Sequence, residues 1–158
     1  VTAIPSDRFR QASGQFPSGV TVVTGLDDHG PAGFTCQSFH ALSLDPPMVM
    51  FAVARASTSW PRIERTTACC VNVLSAGAES IARAFAASGT DKFAGVEWVR
   101  GENGSPVLSD AVAWFEASIE AVHPGGDHVV VVAEVTALGW SDGSPLVFHR
   151  GRYSSLSD

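Results

Sequence analysis

Two apolar runs on either side of a double proline constrain this chain more than any other stretch. Residues 34–44 and 48–54 both read as buried strands, and they flank the turn Asp45-Pro46-Pro47. The first run carries Thr35, Gln37, Ser38 and Ser43 among its apolar residues. The second leads to a hydroxyl cluster, Ser57-Thr58-Ser59, followed by Trp60 and Pro61. Proline is tolerated in a helix only in the first turn. A helix start therefore falls at residues 57–59, with free backbone N–H groups and the positive end of the dipole there.

The remaining segments extend this pattern. Ser6 can cap a first helix with Phe9, Ala12, Ser13 and Phe16 on one face, and Pro17-Ser18-Gly19 ends it. Residues 20–26 are rich in β-branched side chains and predict a strand, joined to the next by the turn Asp27-Asp28-His29-Gly30-Pro31. Residues 68–74 predict another strand, in which Asn72 is out of place by propensity. Residues 79–86 read as a helix, 89–93 as a loop and 96–99 as a short or edge strand. Residues 113–122 alternate, with Glu116, Ser118 and Glu120 on a face read as solvated and Phe115, Ala117 and Ile119 on the other. Pro124-Gly125-Gly126-Asp127 turns the chain, residues 129–138 run back, and residues 146–150 form the last strand. There is no strand–helix–strand alternation and no GxGxxG after a strand, so a Rossmann dinucleotide site is not expected. One mainly β domain over 1–158, an antiparallel barrel with a few capping helices, closes such a set of strands most simply.

Composition narrows the function classes. The net charge is -6 and no block of Lys and Arg occurs, so the electrostatic footprint of a nucleic-acid binder is missing. Only 16% of residues are charged, which fits a chain that hides surface in an oligomer. No stretch approaches a membrane span, and the first residues lack the pattern of a signal peptide, so a cytoplasmic location is expected. The three cysteines, Cys36, Cys69 and Cys70, are neither a disulfide framework nor a metal set, and small buried side chains are their expected role. Cys69 and Cys70 would point to opposite faces of a strand.

Strands with many hydroxyls and few charges, followed by a hydroxyl-rich helix start, suit a flat ligand with a polar edge and a phosphate tail. Thr35, Gln37 and Ser38 would meet the polar edge, and Ser57, Thr58 and Ser59 the phosphate. Lys92, in the loop Asp91-Lys92-Phe93, could add a point charge. Gly125 and Gly126 allow a tight approach that would bring His128 to the ligand. Taken singly, the same residues also fit a solvent-facing strand, plain helix capping, a solvated lysine and a hairpin with a surface histidine. No catalytic triad, metal motif, P-loop or convincing carboxylate pair is present.

The ordered set of motifs is more specific than any one of them. FRQASGQFPSGVTVVT (9–24), GFTCQSFHALSLDPPMVMFAV (33–53), STSW (57–60), CVNVL (70–74), DKFAG (91–95), GGDH (125–128) and LVFHRGRY (146–153) span nearly the whole chain. In these the sequence resembles the short-chain flavin reductases that serve two-component flavin-dependent monooxygenases, and it looks closest to those paired with phenol-type aromatic hydroxylases. The resemblance implies a Greek-key FMN-binding split barrel in a homodimer. It also implies reduction of FAD or FMN by NADH, with NADPH not separated from it, and transfer of reduced flavin to a separate oxygenase. Thr35, Cys36, Gln37, Ser38, Ala52, Val53, Ser57, Ser59, Trp60, Lys92 and Phe93 would then contact the flavin. Pro17, Ser18, Gly19, His128 and Tyr153 would line the nicotinamide side, with His128 the catalytic residue; no metal is implied. A flavin-storing module without turnover, and a split-barrel oxidase acting on a small phosphorylated substrate, are the alternatives.

Overall fold

A computed structural model describes residues 3–156. Among the described residues it has three helices, α1 (Ser6–Ser13), α2 (Trp60–Thr66) and α3 (Glu79–Ala86). The strands are β1 (Ser18–Gly19), β2 (Thr21–Asp27), β3 (Gly30–Cys36), β4 (His40–Leu44), β5 (Pro47–Ala54), β6 (Ala68–Leu74), β7 (Trp98–Arg100), β8 (Pro106–Leu108), β9 (Ala111–Gly125), β10 (His128–Trp140), β11 (Leu146–His149) and β12 (Arg152–Ser155). Seven strands form one antiparallel sheet in the order β3-β2-β6-β9-β10-β5-β4. Two small sheets, β1-β11-β12 and β7-β8, lie beside it. No helix among the described residues is long and apolar enough to cross a membrane.

The barrel closes at one seam without a ladder. β3 is an edge of the large sheet, and β5 has β4 beside it only as far as Met50. Across the gap a side chain replaces main-chain pairing: the Ser38 hydroxyl donates to the Ala52 carbonyl at 3.0 Å and accepts the Ala52 N–H at 2.7 Å. The Cys36 thiol approaches the same carbonyl at 3.6 Å. Backbone N–H and C=O groups along this seam therefore lack the strand partners that a continuous sheet would supply.

Two cores explain why residues 20–26 do not alternate. Val23 packs inside the barrel with Phe34, Phe51, Trp60, Ile63 and Val71, while Val20 and Val22 face a second core with Leu74, Ala82, Phe85 and Leu146. β2 is thus apolar on both faces. Cys69 joins the barrel core and Cys70 sits opposite Glu116 in the ladder; both thiols are buried. Burial alone pushes the Cys69 thiol up to about 12, the condition of an inert packing residue. Between the sheets Asn72 is fully buried and bonded on every side. Its amide nitrogen donates to the Val22 carbonyl at 3.2 Å, with the Thr24 hydroxyl at the same distance, and its oxygen accepts the Leu108 N–H at 2.8 Å. The residue that propensity could not explain ties β8 to the barrel.

Several expectations need correction. Residues 34–44 are not one buried strand: the chain breaks after Cys36, and β4 is an exposed edge on which Leu44 is 95% exposed. The spacing of residues 9–16 is amphipathic, but Phe9 in α1 and Phe16 beyond it are 64% and 80% exposed, because no element among the described residues covers that face. Ser6 lies inside α1, whose cap position is Pro5, and the helix stops at Ser13, before Pro17. Glu116 is buried, not solvated, since the loop after β7 folds over it and donates the Glu102 and Asn103 N–H groups at 3.1 and 2.8 Å. The β9 ladder continues to Gly125, leaving a two-residue turn whose first position, Gly126, has φ +75°. β12 was not foreseen; it returns from β11 through Arg150 and Gly151, both at positive φ.

Asp27 and Arg62 fasten the β2–β3 hairpin to α2. The guanidinium Nε donates to Oδ2 at 2.9 Å and Nη2 to Oδ1 at 2.5 Å, with Nη2 also reaching the Gly30 carbonyl at 2.9 Å. The hydrogen bonds from Arg62 hold the Asp27 carboxyl well below the usual carboxylate range. A carboxyl depressed in the folded state adds stability that is complete above its unfolded pKa, about 3.9. That contribution fades as pH falls below it. In thermal melts, Asp27→Asn should therefore melt lower than the parent at pH 7, and the gap should narrow below about pH 4. A gap that does not change with pH would mean that the ion pair is not its origin.

Candidate functional site

The seam opens into a cavity of about 570 Å³. One wall is Phe34, Thr35, Cys36, Gln37 and Ser38, the end of β3 and the link beyond it. The facing wall is Ala52, Val53 and Ala54 at the end of β5. Ala56, Ser57 and Thr58 close one end, with Phe85, Ala86, Ser88 and Lys92 from α3 and the loop after it, and His128 stands at the rim. The volume is within the range of small-molecule sites, roughly 300–1,000 Å³.

Some of the side chains expected to face a ligand are committed to the protein. The Thr35 hydroxyl donates to the Ala82 carbonyl at 2.5 Å, tying β3 to α3. Ser38 bridges the seam as described, and Cys36 is buried with its sulfur 3.2 Å from the Ser38 hydroxyl. Burial pushes the Cys36 thiol up, so it is a neutral wall atom. What this wall offers a ligand is main chain: edge N–H and C=O groups held rigidly by side chains that are already satisfied.

The hydroxyl cluster divides. The Ser57 oxygen accepts the Trp60 N–H at 3.2 Å, at the start of α2, and Thr58 is exposed. Ser59 is buried at 7%, outside the main cavity, with its hydroxyl 3.5 Å from Lys92. Lys92 also donates to the Gly33 and Phe85 carbonyls, each at 3.1 Å, so its charge is held at the end of the cavity. Partial burial lowers its pKa. Trp60 belongs to the barrel core, edge-on to Phe34 and Phe51, and does not line this cavity. Phe93 lines a neighbouring one and packs on Phe85.

At the rim, His128 Nδ1 lies 2.7 Å from Asp127 Oδ1, which leaves Nε2 as the nitrogen without this partner. Arg55 steadies the hairpin that carries them, donating Nε to the Gly126 carbonyl and its main-chain N–H to the Asp127 carbonyl, both at 3.0 Å. Arg55, Phe85, Ala86 and Ser88 were not foreseen. Phe85 shows only helical spacing, and nothing local marks the others. Of the remaining candidates, Ser18 lines a pocket that shares Gln37 and Ser38 with the main cavity. Pro17 and Tyr153 line a separate one, and Gly19 lies in β1, paired with Val147.

Taken together, the edge-lined seam, the lysine at one end and the histidine at the rim define a split-barrel cleft with one cationic end. Comparison with known proteins gives this class a family. The flavin reductase like domain matches residues 13–157, and the chain belongs to that family. It is 45% identical to the reductase subunit of a flavin-dependent monooxygenase from Rhodococcus jostii, over 98% of this chain and 80% of that one. It is 38% identical to an NADH-dependent FMN reductase from Agrobacterium fabrum, over 96% of this chain and 87% of the other. The solved NADH:FAD oxidoreductase of Streptomyces globisporus, in complex with NAD and FAD fragments, superposes with a TM-score of 0.92 at 36% identity. That match covers 99% of this chain and 97% of that chain.

Proposed function

We propose that this chain reduces FAD or FMN with NADH and releases the reduced flavin to a separate monooxygenase component. The observation that carries the reading is the unladdered seam between β3 and β5: a cavity walled on one side by the main chain of a strand edge suits the alternating donors and acceptors of an isoalloxazine edge. The relatives are named as flavin reductases of this kind, working with FMN in one case and FAD in another. When bound, the flavin supplies the two-electron chemistry, accepting both electrons from the reduced nicotinamide.

The chain's own residues bind, orient and exclude water. The backbone of residues 35–38 holds the ring edge, Ala52 and Val53 form the facing wall, and Cys36 and Phe34 keep the cavity dry. Ser57 and Lys92 hold the phosphate, with Ser59 positioning Lys92 from behind. His128 lines the side from which the nicotinamide enters, its ring oriented by Asp127. Transfer between stacked rings needs close alignment more than an acid or base, which fits a site without a catalytic triad. The partner is reached by diffusing reduced flavin, so no docking surface for it is required. Exposed Leu42, Leu44, Leu138 and Trp140 on the sheet support the reading that the chain works as a homodimer.

Mixing the protein with NADH and FAD or FMN should consume NADH, read at the absorbance of the reduced nicotinamide. Tight flavin binding with no consumption would instead leave a storage module. His128→Ala should slow reduction about tenfold or more while changing flavin affinity much less. Equal rates in variant and parent would remove His128 from the site.

A further inference from the structure

The two walls of the main cavity are tied at one point. Among the described residues, the hydrogen bonds that cross from the β3 side to β5 are those of Ser38 and Cys36, and all of them end on Ala52. The Ser38 hydroxyl spends its donor on the Ala52 carbonyl and accepts the Ala52 N–H. On its other edge β5 is held by β10, with Phe51 paired to Val131 and Val53 to Val129. β4 does not reach Ala52, because its ladder with β5 ends at Met50. One hydroxyl on a one-carbon side chain therefore does here what a ladder does elsewhere in the barrel.

The place of that tie matters for a ligand. Gln37 and Ser38 line the main cavity and also the pocket that Ser18 lines, on the side read as the nicotinamide's. Ser38 thus stands where the two reacting rings would meet. A short bridge with two bonds fixes the distance between the walls. A flat ring is gripped only at the right spacing, since a gap of about 0.5–1 Å already forfeits a quarter to a half of the dispersion attraction. The bridge also satisfies both polar groups of Ala52, so that wall offers a ligand no free donor or acceptor there. We infer that Ser38 is a positioning residue: its hydroxyl sets the width of the slot and leaves the backbone of residues 35–38 as the one wall to which the polar edge of the isoalloxazine can turn. The inference rests on the reading of this cavity as a flavin site.

Three variants of the intact protein test it, with riboflavin and FMN as probes. In Ser38→Ala both flavins should bind about tenfold more weakly, and by the same factor, because the ring and not the phosphate is misplaced. At saturating flavin, kcat for NADH oxidation should also fall about tenfold or more, since ring alignment is lost. Ser38→Thr keeps the hydroxyl and should restore affinity and kcat together. Ser38→Cys should fall between, because a thiol stands further off, as the Cys36 sulfur does at 3.6 Å from the same carbonyl; it carries the test if the alanine variant does not fold. Amide hydrogen exchange supplies the local readout. In Ser38→Ala the Ala52 N–H should exchange faster, while those of Phe51 and Val53, which pair with β10, stay slow. A lowered Tm with flavin affinity and kcat unchanged would overturn the inference, as would equal speeding of exchange at all three amides, and both would leave the flavin site standing. Failure of the parent to bind either flavin would overturn the flavin site itself, and the inference with it.

Discussion

Lys92→Met should cut FMN affinity about 10–100-fold and leave riboflavin affinity nearly unchanged. A hydrogen bond to a charged group is worth about 1.5–3 kcal/mol, which is that range in affinity. Riboflavin lacks the phosphate, so it reports everything about the cavity except the contact in question. The control matters because Lys92 has two roles. Its bonds to the Gly33 and Phe85 carbonyls fasten the loop after α3 to the edge of β3. Methionine keeps most of the length of the side chain and loses the donors. If FMN and riboflavin weaken together, Lys92 acts by shaping the wall; if neither weakens, the phosphate lies elsewhere. Ser59→Ala should have a smaller effect in the same direction, since Ser59 is buried and touches Lys92 from outside the main cavity.

The second large effect is on stability. Asn72→Leu should destabilise the fold by about 3 kcal/mol, because it strands the buried Leu108 N–H and removes a donor to the Val22 carbonyl and the Thr24 hydroxyl. For a domain of this size that is a fall of roughly 6–12 °C in Tm. Leucine has the same side-chain branching and number of heavy atoms as asparagine and is far more apolar, so a simple burial argument predicts the opposite sign. An unchanged or raised Tm would show that the amide is not what joins β8 to the barrel.

Local patterning carried a large part of the fold. The β-branched run at residues 20–26, the helix at residues 79–86 and the proline-limited start of α2 follow from propensities and steric rules acting within a few residues. The order of motifs along the chain was enough to place it among flavin reductases, and the backbone stretches 35–38 and 52–53 do meet at one cavity. What residue type alone could not say is which atoms are free. Thr35 and Ser38 are hydroxyl residues in the expected place, yet their hydroxyls are spent on Ala82 and Ala52, partners 47 and 14 residues away. Glu116 has the alternation of a solvated face and is buried because a loop more than ten residues earlier closes over it.

Short-range sterics and hydrophobic period are written residue by residue, so the sequence by itself determined most of the strands, the three helices and the kind of ligand. Only the tertiary structure decided that β3 and β5 meet without a ladder and that α3 supplies a wall of the cavity. It also decided that a second cavity runs on past Lys92. Those features depend on how distant strands close on one another, and closure is a property of the whole sheet, which no local window contains.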